Sequence, residues 1–163
     1  MLVGFMGAGK STVGPLVAAR LGFEFLDMDA RIEERLGMEV AACFRTLGED
    51  AFRAEERAVA RELLGRRHLV VAAGGGAFAG AETRALLKQN AITFWLRVDL
   101  EAVRQRVPAD GRRPLAGNRE TMSMRLAERE AAYREADVTL ETSDVGPDAV
   151  AERVVSAVRQ RVE

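Results

Sequence analysis

Gly4-Phe5-Met6-Gly7-Ala8-Gly9-Lys10-Ser11-Thr12 decides how this 163-residue chain is read. It fits G-x-x-x-x-G-K-[ST], with Gly4, Gly9, Lys10 and Ser11 at the defining positions. The spelling follows from what a phosphate chain demands. Its negative charges are met by backbone N–H groups of a tight loop, which approach closely only where side chains do not intrude. Gly4, Gly7 and Gly9 supply that clearance. Lys10 then reaches the β- and γ-phosphates as a mobile point charge, and the Ser11 hydroxyl is placed to ligate Mg²⁺. From Ser11 to Leu21 polar and apolar residues recur at helical spacing, so the loop opens into a helix N-terminus with its partial positive charge. Met1-Leu2-Val3 reads as the end of a strand. Three residues are few for a buried strand, which usually takes about 5, so a longer native N-terminus is expected. The stretch predicts a nucleoside triphosphate site.

Outward from the loop, composition sets the limits. The length suits one domain, and 48% hydrophobic residues suffice for a core. The 24 basic and 25 acidic side chains leave a net charge of −1, with no field to recruit nucleic acid or anionic lipid. All basic residues except Lys10 and Lys88 are arginine, which a compositional bias explains; a lysine inside the phosphate loop therefore carries more weight. A single cysteine, Cys43, excludes an internal disulfide and multi-cysteine metal sites, and reads as a small apolar helix residue. One histidine, His68, excludes a His-based metal cluster. No apolar run reaches about 18 residues and no signal peptide is visible, so a cytoplasmic protein without membrane contact is expected.

In order, the pattern predicts a strand over 23–26, then Asp27-Met28-Asp29, and helices over 31–36, 39–47 and 50–64. The apolar run from His68 to Ala73 suits a strand buried on both faces, and it ends in Gly74-Gly75-Gly76. A helix over 81–89, a strand over 91–98 and an Asp99-capped helix over 100–106 follow. Residues 108–118 read as a mobile loop, 121–135 as a helix, 137–141 as a strand and 147–162 as the closing amphipathic helix. Alternating strands and helices predict a single three-layer αβα domain over 1–163, built on a parallel sheet.

Ligands of such sheets sit beyond the carboxyl ends of the strands. The phosphate loop, Asp27-Met28-Asp29 and Gly74-Gly75-Gly76 all fall at such ends. Asp27 and Asp29 place two carboxylates at one cleft, one for the Mg²⁺ shell and one for a substrate hydroxyl; as caps of a helix starting near Ala30 they need no ligand. The triplet offers amides to an anion, or is a loose turn. Arg53 reads as part of a solvated helix face, and Arg129 has the same surface reading. Arg112 and Arg113, in a Gly- and Pro-bearing loop, suit a lid that closes on transferring phosphate and excludes water.

Taken together, the chain resembles the shikimate kinases over almost its whole length. The likeness rests on Gly4 to Gly14, Asp27-Met28-Asp29, Gly48-Glu49 with Phe52-Arg53 and Glu56, Gly74-Gly75-Gly76-Ala77, Arg113-Pro114-Leu115, and Arg129 with Tyr133. The resemblance implies transfer of the ATP γ-phosphoryl group to the 3-hydroxyl of shikimate, in aromatic amino-acid biosynthesis. It implies that Lys10 and the loop residues Gly7, Ala8, Gly9, Ser11 and Thr12 hold the phosphates, and that Ser11 with Asp27 places Mg²⁺. Asp29 is implied as the base beside the substrate hydroxyls. Arg53, Arg129 and the backbone of Gly74, Gly75 and Gly76 are implied as the carboxylate site, Arg113 as the lid cation and Arg106 as the residue near adenine. The implied fold is a P-loop NTPase of the nucleoside-monophosphate-kinase kind: five parallel strands, a substrate-binding helical region at about 29–62 and a lid at about 107–120, working as a monomer. Pro15 departs from the family pattern and is expected to kink the first helix, at a cost of up to about 3 kcal/mol. A kinase for another polyol such as gluconate would share the loop without pairing the triplet with Arg53 and Arg129. A nucleotide switch would leave that second site surplus. A nucleic-acid ATPase is disfavoured by size and charge.

Overall fold

Short continuous apolar runs separated by helical patterns resolve into a parallel sheet with helices on both sides. The computed structural model describes residues 1–107 and 119–162. Along the chain run β1 (Leu2–Val3), α1 (Lys10–Leu21), β2 (Glu24–Asp27), α2 (Met28–Leu36), α3 (Val40–Thr46), α4 (Glu49–Glu62) and β3 (Leu69–Ala72). Then come α5 (Ala81–Gln89), β4 (Phe94–Arg97), α6 (Leu100–Arg106), α7 (Arg119–Tyr133), β5 (Val138–Glu141) and α8 (Pro147–Val162). Among the described residues the sheet has five strands in the order β2-β3-β1-β4-β5, all parallel.

β1 is central, flanked by β3 and β4, with Leu2 opposite Ala72 on one side and Phe94 on the other. Chain direction reverses across the sheet at β1, so the crevice that receives ligands opens at its carboxyl end, where Gly4 begins the phosphate loop. Val3, Val70, Val71, Phe94 and Leu96 are buried, as expected of strands covered on both faces. α1 lies along β1, β2 and β3 and packs on α8, while α4 gathers α2, α3 and α5 around it.

Two expectations change in detail. α2 begins at Met28, three residues earlier than the pattern predicts, because Asp27 caps it by accepting from Asp29 N at 3.0 Å and Ala30 N at 3.4 Å. His68 stands outside β3 with φ 53°, its ring edge-on to Phe23 at 5.0 Å. α1 is continuous through Pro15. The amide that proline lacks would have met the Ser11 carbonyl, and both residues are exposed, where a carbonyl without its helical partner costs little. Cys43 is buried within α3, its thiol pushed up chiefly by burial, in keeping with a packing role. No described helix is long and apolar enough to cross a membrane.

Candidate active site

The phosphate loop is shaped by its glycines. Gly4 has φ 142°, and a Cβ there would stand 2.6 Å from the Leu96 carbonyl oxygen of β4, so no other residue fits without moving the strand. Gly9, at φ 96°, turns the chain into α1, whose first amides, Thr12 N and Val13 N, bond Gly9 O at 3.1 and 2.8 Å. Lys10 is 91% shielded from solvent, since 9% of its surface is exposed, and its Nζ donates to Gly4 O at 2.8 Å and Phe5 O at 2.9 Å. The ammonium is thus anchored over the loop at the positive end of α1, where anions are favoured.

Beside it, Ser11 Oγ donates to Asp27 Oδ2 at 2.5 Å. Asp27 Oδ1 takes the α2 amides, so one carboxylate caps the helix and faces Ser11 together. The capping reading of Asp27 is realised, and the same carboxylate lines the cavity beside Ser11. A serine oxygen and a carboxylate oxygen in contact beside the loop are the hard donors Mg²⁺ takes, so the residues fit that ion. Asp29 follows in the first turn of α2, where its carboxylate reaches the glycine triplet: a Cβ on Gly74 would lie 2.6 Å from Asp29 Oδ1.

A cavity of about 330 Å³ extends from Ser11, Asp27 and Asp29 to Arg53, Gly75, Gly76 and Arg129. One wall is apolar, made by Met6, Val40, Phe44 and Phe52; the two phenyl rings stand 4.8 Å apart. Two arginines line the same cavity, and the Arg53 guanidinium carbon stands 5.4 Å from the Phe52 ring centre. Arg53 Nη1 donates to Glu56 Oε1 and Oε2 at 3.0 and 2.9 Å, and Nη2 to Glu49 at 3.2 Å. The same guanidinium fills the space over Gly76, where a Cβ would meet its nitrogens at 2.5 Å. Arg129 lies with its guanidinium carbon 5.6 Å from the Phe5 ring centre, and its Nη1 is 3.5 Å from where Gly75 would carry a Cβ. Burial pushes the Glu56 carboxyl up, the Arg53 charge partly opposes this, and the Asp29 charge adds to it. Burial pulls Arg53 down, and the Glu56 and Glu49 carboxylates more than offset it, so the guanidinium stays charged.

The structure therefore gathers Lys10, Ser11, Asp27, Asp29, Arg53, the glycine triplet and Arg129 at one crevice. The surface reading of Arg53 and Arg129 gives way: both line the cavity. Arg106, at the end of α6, donates to Gly7 O at 3.3 Å, Thr142 O at 2.7 Å and Ser143 O at 2.6 Å, tying the phosphate loop to the segment after β5. Arg112, Arg113 and most of the lid segment lie outside the described residues. Two contributors carried no assigned role in the sequence. Glu56, three residues after Arg53 and 99% buried with 1% of its surface exposed, signals itself only as a carboxylate on the apolar side of α4. Tyr133, four residues after Arg129, donates its hydroxyl to the Gly75 carbonyl.

A G-x-x-x-x-G-K-[ST] loop at the end of the central strand, a Ser11–Asp27 contact and an adjoining pocket lined by Arg53 and Arg129 fit a small-molecule kinase of the P-loop class. The family model of shikimate kinase matches residues 6–159. Shikimate kinase of Nitrobacter winogradskyi is 42% identical over 164 residues, spanning 99% of this chain and 77% of that one. That of Persephonella marina is 38% identical over 97% of both chains. Among solved structures, shikimate kinase from Acinetobacter baumannii in complex with shikimate superposes with a TM-score of 0.93 at 38% identity, over 98% of this chain and 92% of that one. A deoxyadenosine kinase from M. mycoides, 14% identical with a TM-score of 0.62, shares the fold over 98% of this chain and 97% of its own. The chain belongs to the shikimate kinase family: it is a transferase that uses ATP with Mg²⁺ to phosphorylate shikimate in aromatic amino-acid biosynthesis.

Proposed function

We propose that the crevice works as two adjoining half-sites, with the phosphoryl group crossing from the loop to the 3-hydroxyl of shikimate beside Asp29. The observation that carries this is the continuous cavity from Ser11 and Asp27 to Arg53 and Arg129. On the donor side, Lys10 exchanges its carbonyl partners for the β- and γ-phosphates, and the amides of Gly7 to Thr12 surround the chain of phosphates. Ser11 and Asp27 hold Mg²⁺, which neutralises charge on the phosphates when bound. Arg113 is the cation assigned to the transferring group, on the strength of Arg113-Pro114-Leu115, and segment 107–120 is its lid. Arg106 borders adenine.

On the acceptor side, Arg53 and Arg129 clamp the carboxylate, with the amides of Gly75 and Gly76 between them, because planar guanidinium groups match a carboxylate in two-point geometry. Gly74 keeps the floor open for Asp29. The Asp29 carboxylate accepts the proton of the attacking hydroxyl and holds it in line with the phosphorus. Phe44, Phe52 and Val40 cover the ring and exclude water, the competing nucleophile. The helical region at about 29–62 is the acceptor-binding unit, and one chain, a cytoplasmic monomer, supplies every residue named.

Purified protein with ATP and Mg²⁺ should release ADP only with shikimate present, with gluconate and quinate giving background rates. Equal release with all three, or with none, would contradict the acceptor assignment. Size-exclusion chromatography with light scattering checks the monomer.

A further inference from the structure

We infer that Tyr133 is a positioning residue for the acceptor carboxylate, acting through the peptide between Gly75 and Gly76. Tyr133 ends α7 one helical turn after Arg129, so the two side chains share a face. Its ring is fully buried and packs on Trp95 of β4, with centroids 5.9 Å apart. Burial there leaves the hydroxyl needing a partner, and the Gly75 carbonyl is that partner.

The consequence lies in the geometry of the peptide. It is planar and trans, so fixing the Gly75 carbonyl toward Tyr133 sends the Gly76 N–H the opposite way and fixes the tilt of the whole plane. Glycines have no side chain to hold that tilt themselves. The plane sits between the two cations: Arg53 fills the space over Gly76, and Arg129 Nη1 comes within 3.5 Å of a Cβ position on Gly75. The Arg129 charge also acts on the Tyr133 hydroxyl, favouring its ionised form, so the hydroxyl that fixes the backbone plane lies within the field of the same guanidinium. Burial pushes the phenol up to about 12; the Arg129, Arg53 and Glu56 charges are the ones that act on it, and it remains a donor over the working range. Tyr133 acts through the Gly75 carbonyl and so sets the donors of the carboxylate site.

This rests on the carboxylate site proposed above, and the test separates the two. Tyr133→Phe removes the hydroxyl and keeps the ring. Shikimate KM is expected to rise roughly tenfold, with kcat and ATP KM within about twofold and the emission of Trp95, the single tryptophan, unchanged. An unchanged shikimate KM overturns the inference, and so does a parallel loss in kcat and both KM values, which marks a merely structural role. Arg129→Ala is run alongside: if it also leaves shikimate KM unchanged, the carboxylate site itself fails. Should Tyr133→Phe not fold, the single tyrosine allows site-specific fluorotyrosine labelling, which makes the same hydroxyl ionise at lower pH. The alkaline rise in shikimate KM must then begin at lower pH than in the unlabelled enzyme; coincident profiles overturn the inference.

Discussion

The two halves of the crevice are built by opposite means. The donor half is organised on one unbroken segment, Gly4 to Thr12, whose shape comes from backbone torsions and whose charge comes chiefly from one lysine and a helix end, with Asp27 and Arg106 reaching it from elsewhere. The acceptor half has no segment of its own. Its parts come from α2, α4, the β3–α5 loop and α7, and they meet only because the sheet brings those elements to one edge. A local site tolerates drift elsewhere in the fold; a distributed one depends on side chains that hold other side chains. Glu56 holding Arg53 and Tyr133 holding Gly75 are such supports; in the donor half, among the described residues, Asp27 holding Ser11 and Arg106 holding Gly7 only trim a loop that its own torsions shape.

Substitutions can break this contrast. Lys10→Ala should lower kcat by at least about 100-fold with little change in shikimate affinity, because it removes charge from the transferring group and nothing from the acceptor pocket. Steady-state kinetics with a melting curve checks it; near-normal kcat in a folded variant would refute the donor role. Asp29→Asn, isosteric and unable to take a proton, should cost about 100-fold in kcat as well, the lower end of the usual range for a general base. Arg53→Ala should act on the other half alone, raising shikimate KM roughly 10- to 100-fold while ATP KM holds, as expected for losing charge-assisted hydrogen bonds.

Glu56→Gln sharpens the contrast further. It should raise shikimate KM by about fivefold to tenfold by loosening Arg53, less than removing Arg53 itself. It should also change the pH dependence of stability. The Glu56 carboxyl is raised on folding, so ionising it works against the native state. Its contribution is fully present below the unfolded value near 4.5 and is lost as pH rises through the higher folded value. Melting temperatures between pH 4 and 7 should therefore slope less in the glutamine variant; identical slopes would contradict the burial argument. The smallest functional effect belongs to Gly14→Ala. A Cβ there would overlap the Phe25 ring where α1 meets β2, so the melting temperature should fall by about 3–10 °C with kinetic constants unchanged.

Legibility followed the same divide. The donor half could be read directly, since Gly4, Gly9, Lys10 and Ser11 are contiguous and their spacing encodes the turn. Strand and helix order were equally plain from apolar periodicity, and the end-of-strand rule placed Asp27, Asp29 and the triplet at the crevice. Arg53 and Arg129 were different. Both lie on helices rich in arginine and glutamate, where periodicity cannot tell a pocket-facing guanidinium from a solvated one. Only the resemblance gave them a role. Glu56 was invisible as a support because one carboxylate in Glu55-Glu56 points inward, and a charge pattern does not say which.

The central claim is that Arg53 and Arg129 read a carboxylate. Calorimetric titration of the protein with shikimate and with its methyl ester, in wild type and Arg53→Ala, tests it most directly. Wild type should bind the ester at least roughly tenfold more weakly than the acid, and Arg53→Ala should nearly erase that difference. Equal binding of acid and ester by the wild type, or an undiminished preference after removal of Arg53, would contradict the carboxylate clamp.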